Sequence, residues 1–214
     1  MGSMVVEFEA VSGHRVRVIP GSTGKHFAQI MQGAPYDVFL AADVRRPEEL
    51  EKRGMVLLGS RFTYAVGKLV LWSPRPGFVD AEGAVLKGGN FRFLAIANPL
   101  HAPYGRAARE ILQAMDLWGN LTGRIVRGEN ISQAFQYVKS GNADLGFVAR
   151  SQLHDLGVAS KGSQWEAPHR LYAPILQQAA LLKEKVSGRE FLAFIRSEAG
   201  LKIICSYGYD VPDP

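Results

Sequence analysis

Residues 124–149, RIVRGENISQAFQYVKSGNADLGFVA, decide the fold class. Arg124 to Arg127 reads as a strand edge, Gly128-Glu129-Asn130-Ile131 as a loop, Ser132 to Lys139 as a helix, and Asp144 to Ala149 as a buried strand. A strand, a helix and a strand in so short a span argue for parallel sheets in an α/β fold.

The same alternation extends outward. Upstream, Phe93 to Ala97 is a buried strand, and Ala102 to Met115 is a helix preceded by Asn98-Pro99. Nearer the start, Val16 to Ile19 is a short β-branched strand, and Gly21-Ser22-Thr23-Gly24 turns the chain into a helix reaching about Gln32. Asp37 to Ala42 is another buried strand, followed by a helix with Pro47 in its first turn. Downstream, a Gly/Ser-rich connection leads to helices at Gly188 to Ile195 and Glu198 to Ser206. Two extended segments, near 61–72 and 171–183, are unusually long and suit crossings between two lobes. The expected lobes are 1–66 plus 176–214, and 67–175.

At 214 residues the chain can form one large domain or two lobes. Its 47% hydrophobic and 21% charged residues are the mix of a soluble globular protein. The longest apolar run, Leu69 to Trp72, is strand-sized and far short of a membrane span. Met1-Gly2-Ser3-Met4 reads as a remnant of expression, and no signal peptide is visible. The net charge of +5 raises nucleic acid as a partner, but the basic residues are dispersed as pairs such as Arg15 and Arg17 or Arg124 and Arg127. Without a basic run or an interleaved aromatic signature, that partner is set aside. Cys205 stands alone in an apolar stretch, which suits a small buried residue and excludes an internal disulfide.

Three segments share one design, in which a strand ends, a small or hydroxyl-bearing loop follows, and a helix begins. They are residues 20–24, 97–105 and 128–132. Helix N-termini offer unpaired N–H groups and the positive end of the helix dipole, and α/β folds gather ligands at the carboxyl ends of strands. Three such loops make a neutral set of donors for an anion. The plainer alternative is that Ser22 and Thr23 only cap their helix. Gly21 to Lys25 fails as a nucleotide-binding P-loop, because Ile19 stands where glycine is needed and His26 where a Ser or Thr is needed. The five histidines are not at metal-ligand spacing. Asp37, Asp43 and Asp144 read as strand-end caps, so the chain carries no catalytic constellation and is read as a binding protein, not an enzyme.

Longer motifs carry a family likeness. Gly33-Ala34-Pro35-Tyr36-Asp37-Val38-Phe39-Leu40-Ala41-Ala42-Asp43 resembles the GAPxDVFxSAD stretch of periplasmic molybdate-binding proteins. Residues 61–73, 96–105, 128–131, 140–149 and 207–209 continue the resemblance in the family's order. It implies a type II periplasmic-binding-protein fold, two α/β lobes joined by two crossing strands and closing on a tetrahedral oxyanion. It further implies a periplasmic protein without cofactor that delivers molybdate or tungstate to an ABC transporter's membrane permease.

Carried over by motif, Thr23 offers its hydroxyl and N–H with Ser22 beside it, while Tyr104 and the backbone N–H of Ile131 serve from the other lobe. No metal is bound directly. Arg150 and Ser151 stand where some members have a tyrosine, and no role is assigned there. Family members begin with a strand and an AANFT- or AASL-like loop, whereas residues 5–14 match only the end of the helix that follows. The expectation is a chain lacking that first strand, with an open sheet edge, a tendency to self-associate and weakened anion binding. The alternative function is a ligand-sensing domain of the same fold in a transcription regulator, although no helix-turn-helix segment flanks the lobes.

Overall fold

The computed structural model describes residues 1–154 and 162–212. In chain order it runs α1 (Gly2–Ser12), α2 (Thr23–Met31), β1 (Val38–Ala41), α3 (Arg45–Lys52), β2 (Phe62–Gly67) and β3 (Leu69–Ser73). Next come α4 (Val85–Gly88), β4 (Leu94–Ala97), α5 (Pro103–Ala114), α6 (Trp118–Leu121), β5 (Ile125–Gly128), α7 (Ile131–Lys139) and β6 (Leu145–Ala149). The rest is α8 (Arg150–His154), β7 (Ser163–Glu166), β8 (Ile175–Leu181), α9 (Val186–Arg196) and α10 (Glu198–Ser206). The Gly/Ser-rich connection before residue 171 lies partly outside the described residues. The chain divides into two compact units, Met1–Val66 with Leu176–Pro214, and Gly67–Ile175. The long segment at 62–72 breaks at Lys68, so that β2 joins one sheet and β3 the other.

The unit formed by the chain ends holds a three-stranded sheet in the order β1-β8-β2. β1 runs antiparallel to β8, with Val38 opposite Leu181 and Ala41 opposite Gln178. Alternation along β1 sends Val38 and Leu40 to one face, against Phe8, Leu181, Phe191 and Ile195. Phe39 and Ala41 go to the other face, against Ile30, Leu50 and Val56. The N–H of Leu182 donates to the carbonyl of Asp37, so Asp37, Phe39 and Ala41 turn their backbone groups toward β8. Those of Val38 and Leu40 face the opposite way, along an edge beside which no described strand lies.

Two expectations are corrected in this unit. Val16 to Ile19 is not a strand, and Val18 and Ile19 are 48% and 40% exposed. β-Branched residues supply propensity, but a strand needs a hydrogen-bonded neighbour, and none of the described strands provides one. Residues 2–4 are not an idle remnant: they begin α1, whose Met4 and Phe8 lie one helical turn apart and are buried. The Phe8 ring meets Phe191 of α9 edge-on at 5.1 Å.

The other unit holds a five-stranded sheet in the order β5-β4-β6-β3-β7. Every residue of β3, β4 and β6 is buried. Ala107, Ala108, Ile111 and Leu112 of α5 and Ala134, Phe135 and Val138 of α7 are buried as well. Gly105 lies so close to β4 that a Cβ there would come within 2.3 Å of the Ala97 carbonyl oxygen. The sheets are not parallel throughout: in this one β4 pairs parallel with β5 and β6, whereas β3 is antiparallel to β6 and β7, and in the other β1 is antiparallel to β8. Parallel pairing requires a crossover such as α5 or α7, and β3 enters directly from β2 without one. β7, a short strand of alternating exposure, was not foreseen. Cys205 is exposed, not buried, because the adjacent Ile204 takes the inward-facing position of α10.

Candidate functional site

The loop before α2 is built from small residues for a reason. Ser22 is the N-cap in extended conformation (φ −77°, ψ 148°), and its hydroxyl oxygen accepts the N–H of Lys25 at 3.4 Å. Its carbonyl accepts the N–H of His26 at 3.1 Å. Ser22 therefore does perform the plain capping role. Thr23 does not. It is the first residue of α2, buried, and its hydroxyl oxygen accepts the N–H of Ala42 at 3.0 Å, beyond the end of β1. That bond occupies a lone pair and leaves the hydroxyl proton free to donate elsewhere. Beside it, the first N–H groups of α2 have no intrahelical acceptor. The geometry thus offers an anion one hydroxyl and a short run of backbone donors.

At the end of β1, Asp43 accepts the N–H of Arg46 at 3.0 Å and its carboxylate pairs with the Arg46 guanidinium. Both side chains are nearly buried, so the negative charge next to the loop is neutralised at its source.

In the other unit, two of the expected loops are neighbours. β4 and β5 are parallel and adjacent, so the loops at their carboxyl ends, 98–102 and 129–130, lie side by side. The N–H of Asn98 donates to the carbonyl of Gly128 at 2.7 Å and ties the loops together. The Asn98 carbonyl then accepts the N–H of Ala102 at 2.8 Å, and its side-chain oxygen accepts that of Leu100 at 3.0 Å. Pro103 opens α5 at a position where a missing N–H costs nothing, and Tyr104, the next residue, is buried at 5% exposure.

Ile131 is the first residue of α7. Its N-cap, Asn130, accepts the N–H of Gln133 at 2.9 Å, while the Gln133 side chain accepts the N–H of Glu129 at 2.6 Å. This reciprocal cap fixes the entry of α7 and leaves the N–H of Ile131 without an intrahelical acceptor. From the end of β6, Gln152 accepts the N–H of Ala149 at 2.9 Å and donates to the Ile131 carbonyl at 3.3 Å. Asn98 was placed in its loop by the Asn98-Pro99 pair but not given its tethering role, and Gln133 and Gln152 were not singled out. Gln133 had a signal, its position three residues after Asn130.

At the opposite end of these strands lies a carboxylate held by backbone donors. Asp144 precedes β6; its carboxylate accepts the N–H of Arg92 at 2.7 Å and of Phe93 at 3.3 Å. Burial opposes its ionisation, but those two N–H groups with Arg75 and Arg92 outweigh it and hold the carboxyl below its ordinary range. Among the described residues, no group of three His, Cys, Asp or Glu side chains could hold a metal ion. The structure therefore places Ser22 and Thr23 in one unit and brings the Tyr104 and Ile131 loops together in the other. All of them sit at helix N-termini.

Comparison with known proteins bears on what such loops do. Residues 1–210 match the bacterial extracellular solute-binding protein family. The molybdate-binding protein ModA of Azotobacter vinelandii is 46% identical over 212 residues, covering 98% of this chain and 84% of that sequence. ModA of Rhodobacter capsulatus is 45% identical, covering 94% and 80%. The solved structure of the Azotobacter vinelandii periplasmic molybdate-binding protein superimposes with a TM-score of 0.95 at 42% identity, over 99% of this chain and 94% of that one.

Proposed function

The chain belongs to the bacterial extracellular solute-binding protein family, and from that premise we propose that it captures molybdate in the periplasm and hands it to an ABC importer. It is a binding protein and not an enzyme, like the relatives it matches. Molybdate and tungstate are both tetrahedral dianions, and tungstate is a second cargo of the same site. In the unit of the chain ends the anion's donors are Thr23, with Ser22 beside it; in the other unit they are the α5 and α7 entries at Tyr104 and Ile131. The relatives are binding proteins, so a regulator's sensing domain gains no support from them.

One observation carries the reading. The Thr23 oxygen is committed to Ala42, so its proton is free, at the start of α2, to donate to an anion. Bonds from neutral donors to a fully charged oxyanion are strong, and they need no lysine or arginine in contact. A dianion without protons also needs no acceptor, and no carboxylate stands in the loops at 20–24 or 97–105. Glu129, the acid in the third loop, precedes the cap and is exposed.

Titration calorimetry with molybdate, tungstate and sulfate tests this, with Thr23→Val as the probe of the site. Molybdate and tungstate should bind with sulfate far behind. Thr23→Val should weaken molybdate about tenfold to a hundredfold, corresponding to ~1.5–3 kcal/mol for one bond to a charged group. Unchanged binding in Thr23→Val would remove the site as drawn.

A further inference from the structure

Building on that reading, we infer that His26 is the positioning residue of the α2 oxyanion loop and makes its anion affinity rise as the ring protonates. The imidazole lies against the loop itself: a Cβ placed on Gly21 would meet His26 Nε2 at 2.6 Å and Cε1 at 2.8 Å. Only a glycine leaves room for the ring where it stands, one residue before Ser22. The ring is held from behind. Its Nδ1 is 3.1 Å from Gln29 Oε1, and the same oxygen accepts the Tyr36 hydroxyl at 2.9 Å. Tyr36 also meets the ring edge-on, with centroids 5.7 Å apart at 87°. The loop before α2 is thereby braced on the turn that precedes β1.

This arrangement fixes the tautomer. An amide oxygen can only accept, so the proton of the neutral ring sits on Nδ1, and Nε2 faces Gly21 as a bare lone pair. Protonation turns that lone pair into an N–H donor and sets a positive charge against the loop that carries Ser22 and Thr23. The charged and titratable groups around it are Lys25, its neighbour on α2, the Tyr36 phenol, and Asp37, which pairs with Lys185; α3, which packs against α2, adds Arg45, Arg46, Glu48, Glu49, Glu51 and Lys52, and Asp43 before it pairs with Arg46. None is an acid hydrogen-bonded to the ring, so the added charge acts on the loop and its anion. By linkage, a ring whose protonation favours the anion must take up a proton more readily when the anion is bound.

The test follows molybdate binding by calorimetry between about pH 8 and about pH 5.5, spanning the range near ~6.5 where imidazoles titrate. The unaltered chain should bind roughly three- to tenfold tighter at the acid end, as expected of one charge acting through a partly aqueous medium. His26→Phe, which keeps a ring against Gly21, should lose the slope while remaining folded. Gln29→Ala, which removes the brace but leaves the imidazole, should weaken binding and keep a slope. NMR titration of the ring should show it protonating at higher pH once molybdate is added. A flat profile in the unaltered chain, or a slope that persists in His26→Phe, overturns the inference. If Thr23→Val also leaves binding untouched, it is the oxyanion site that has failed; if Thr23→Val weakens binding, the failure is of His26 alone.

Discussion

The two sheets are built on different terms. In the unit of residues 67–175, five strands include three that are buried along their whole length, and α5 and α7 seal against them at glycine-close range. In the unit of the chain ends, three strands are present and β1 stands at an edge with the backbone groups of Val38 and Leu40 turned outward. The first unit sets its loops by a chain of backbone and amide bonds through Asn98, Gln133 and Gln152. The second sets its loop by single side chains, Ser22 on Lys25, Thr23 on Ala42 and His26 on Gly21. A binding loop is thus made rigid either by the sheet beneath it or by side-chain braces, and braces are the easier to remove by substitution.

The largest effect expected from this contrast lies in matched core substitutions. Phe147, fully buried in central β6, and Phe39, 3% exposed in edge strand β1, are the same residue in the two settings. Phenylalanine-to-alanine changes cost about 3–5 kcal/mol in cores. Phe147→Ala should fall near the top of that range and Phe39→Ala near the bottom, measured by urea unfolding. Equal costs would erase the distinction between the sheets.

A smaller effect should come from the donor on the better-built side. Ile131→Pro removes one backbone N–H at a position where helices accept proline, and Asn130 already has the extended conformation (φ −146°) that a following proline requires. Molybdate affinity should fall about tenfold to a hundredfold, on ~1.5–3 kcal/mol per bond, with thermal stability nearly unchanged. A collapse in stability would mean that the cap, and not the donor, was lost.

The smallest effect on stability belongs to the exposed segment before α2. Val18→Lys there should change stability by no more than about 0.5 kcal/mol. It should nonetheless reduce any self-association seen by light scattering, since it breaks up the exposed apolar pair of Val18 and Ile19. Scattering that is the same for both proteins, at any concentration, would show that this stretch does not recruit a second chain.

The sequence was most readable where structure is local. The β5–α7–β6 stretch has its helix start one residue from where it was expected, because Asn130 caps it and an apolar strand follows at once. The loops at 20–24, 97–105 and 128–132 were legible for the same reason: each is punctuated by glycine, proline or a hydroxyl. Pairing was less readable, because it is decided by distant residues. Val16 to Ile19 has the composition of a strand and no partner, and β3 and β8 are antiparallel because of where the chain crosses, which composition does not encode. Of the site, the helix entries could be read directly. The Gln152 link to Ile131 spans 21 residues and has no motif.

The strand at the centre of the three-stranded sheet, β8, comes from residues 175–181, whereas both of its neighbours lie before residue 68. This has a consequence for how the protein is made. As the chain leaves the ribosome, β1 and β2 emerge early but have no strand to pair with until β8 has been synthesised. Residues 67–175, which are contiguous and form their own sheet, are complete by then. The middle of the sequence can therefore fold first, and the two ends close their sheet last, after a long-range loop has been spanned. Until that point, the Thr23 loop and the sheet it is bonded to wait on the last fifth of the chain.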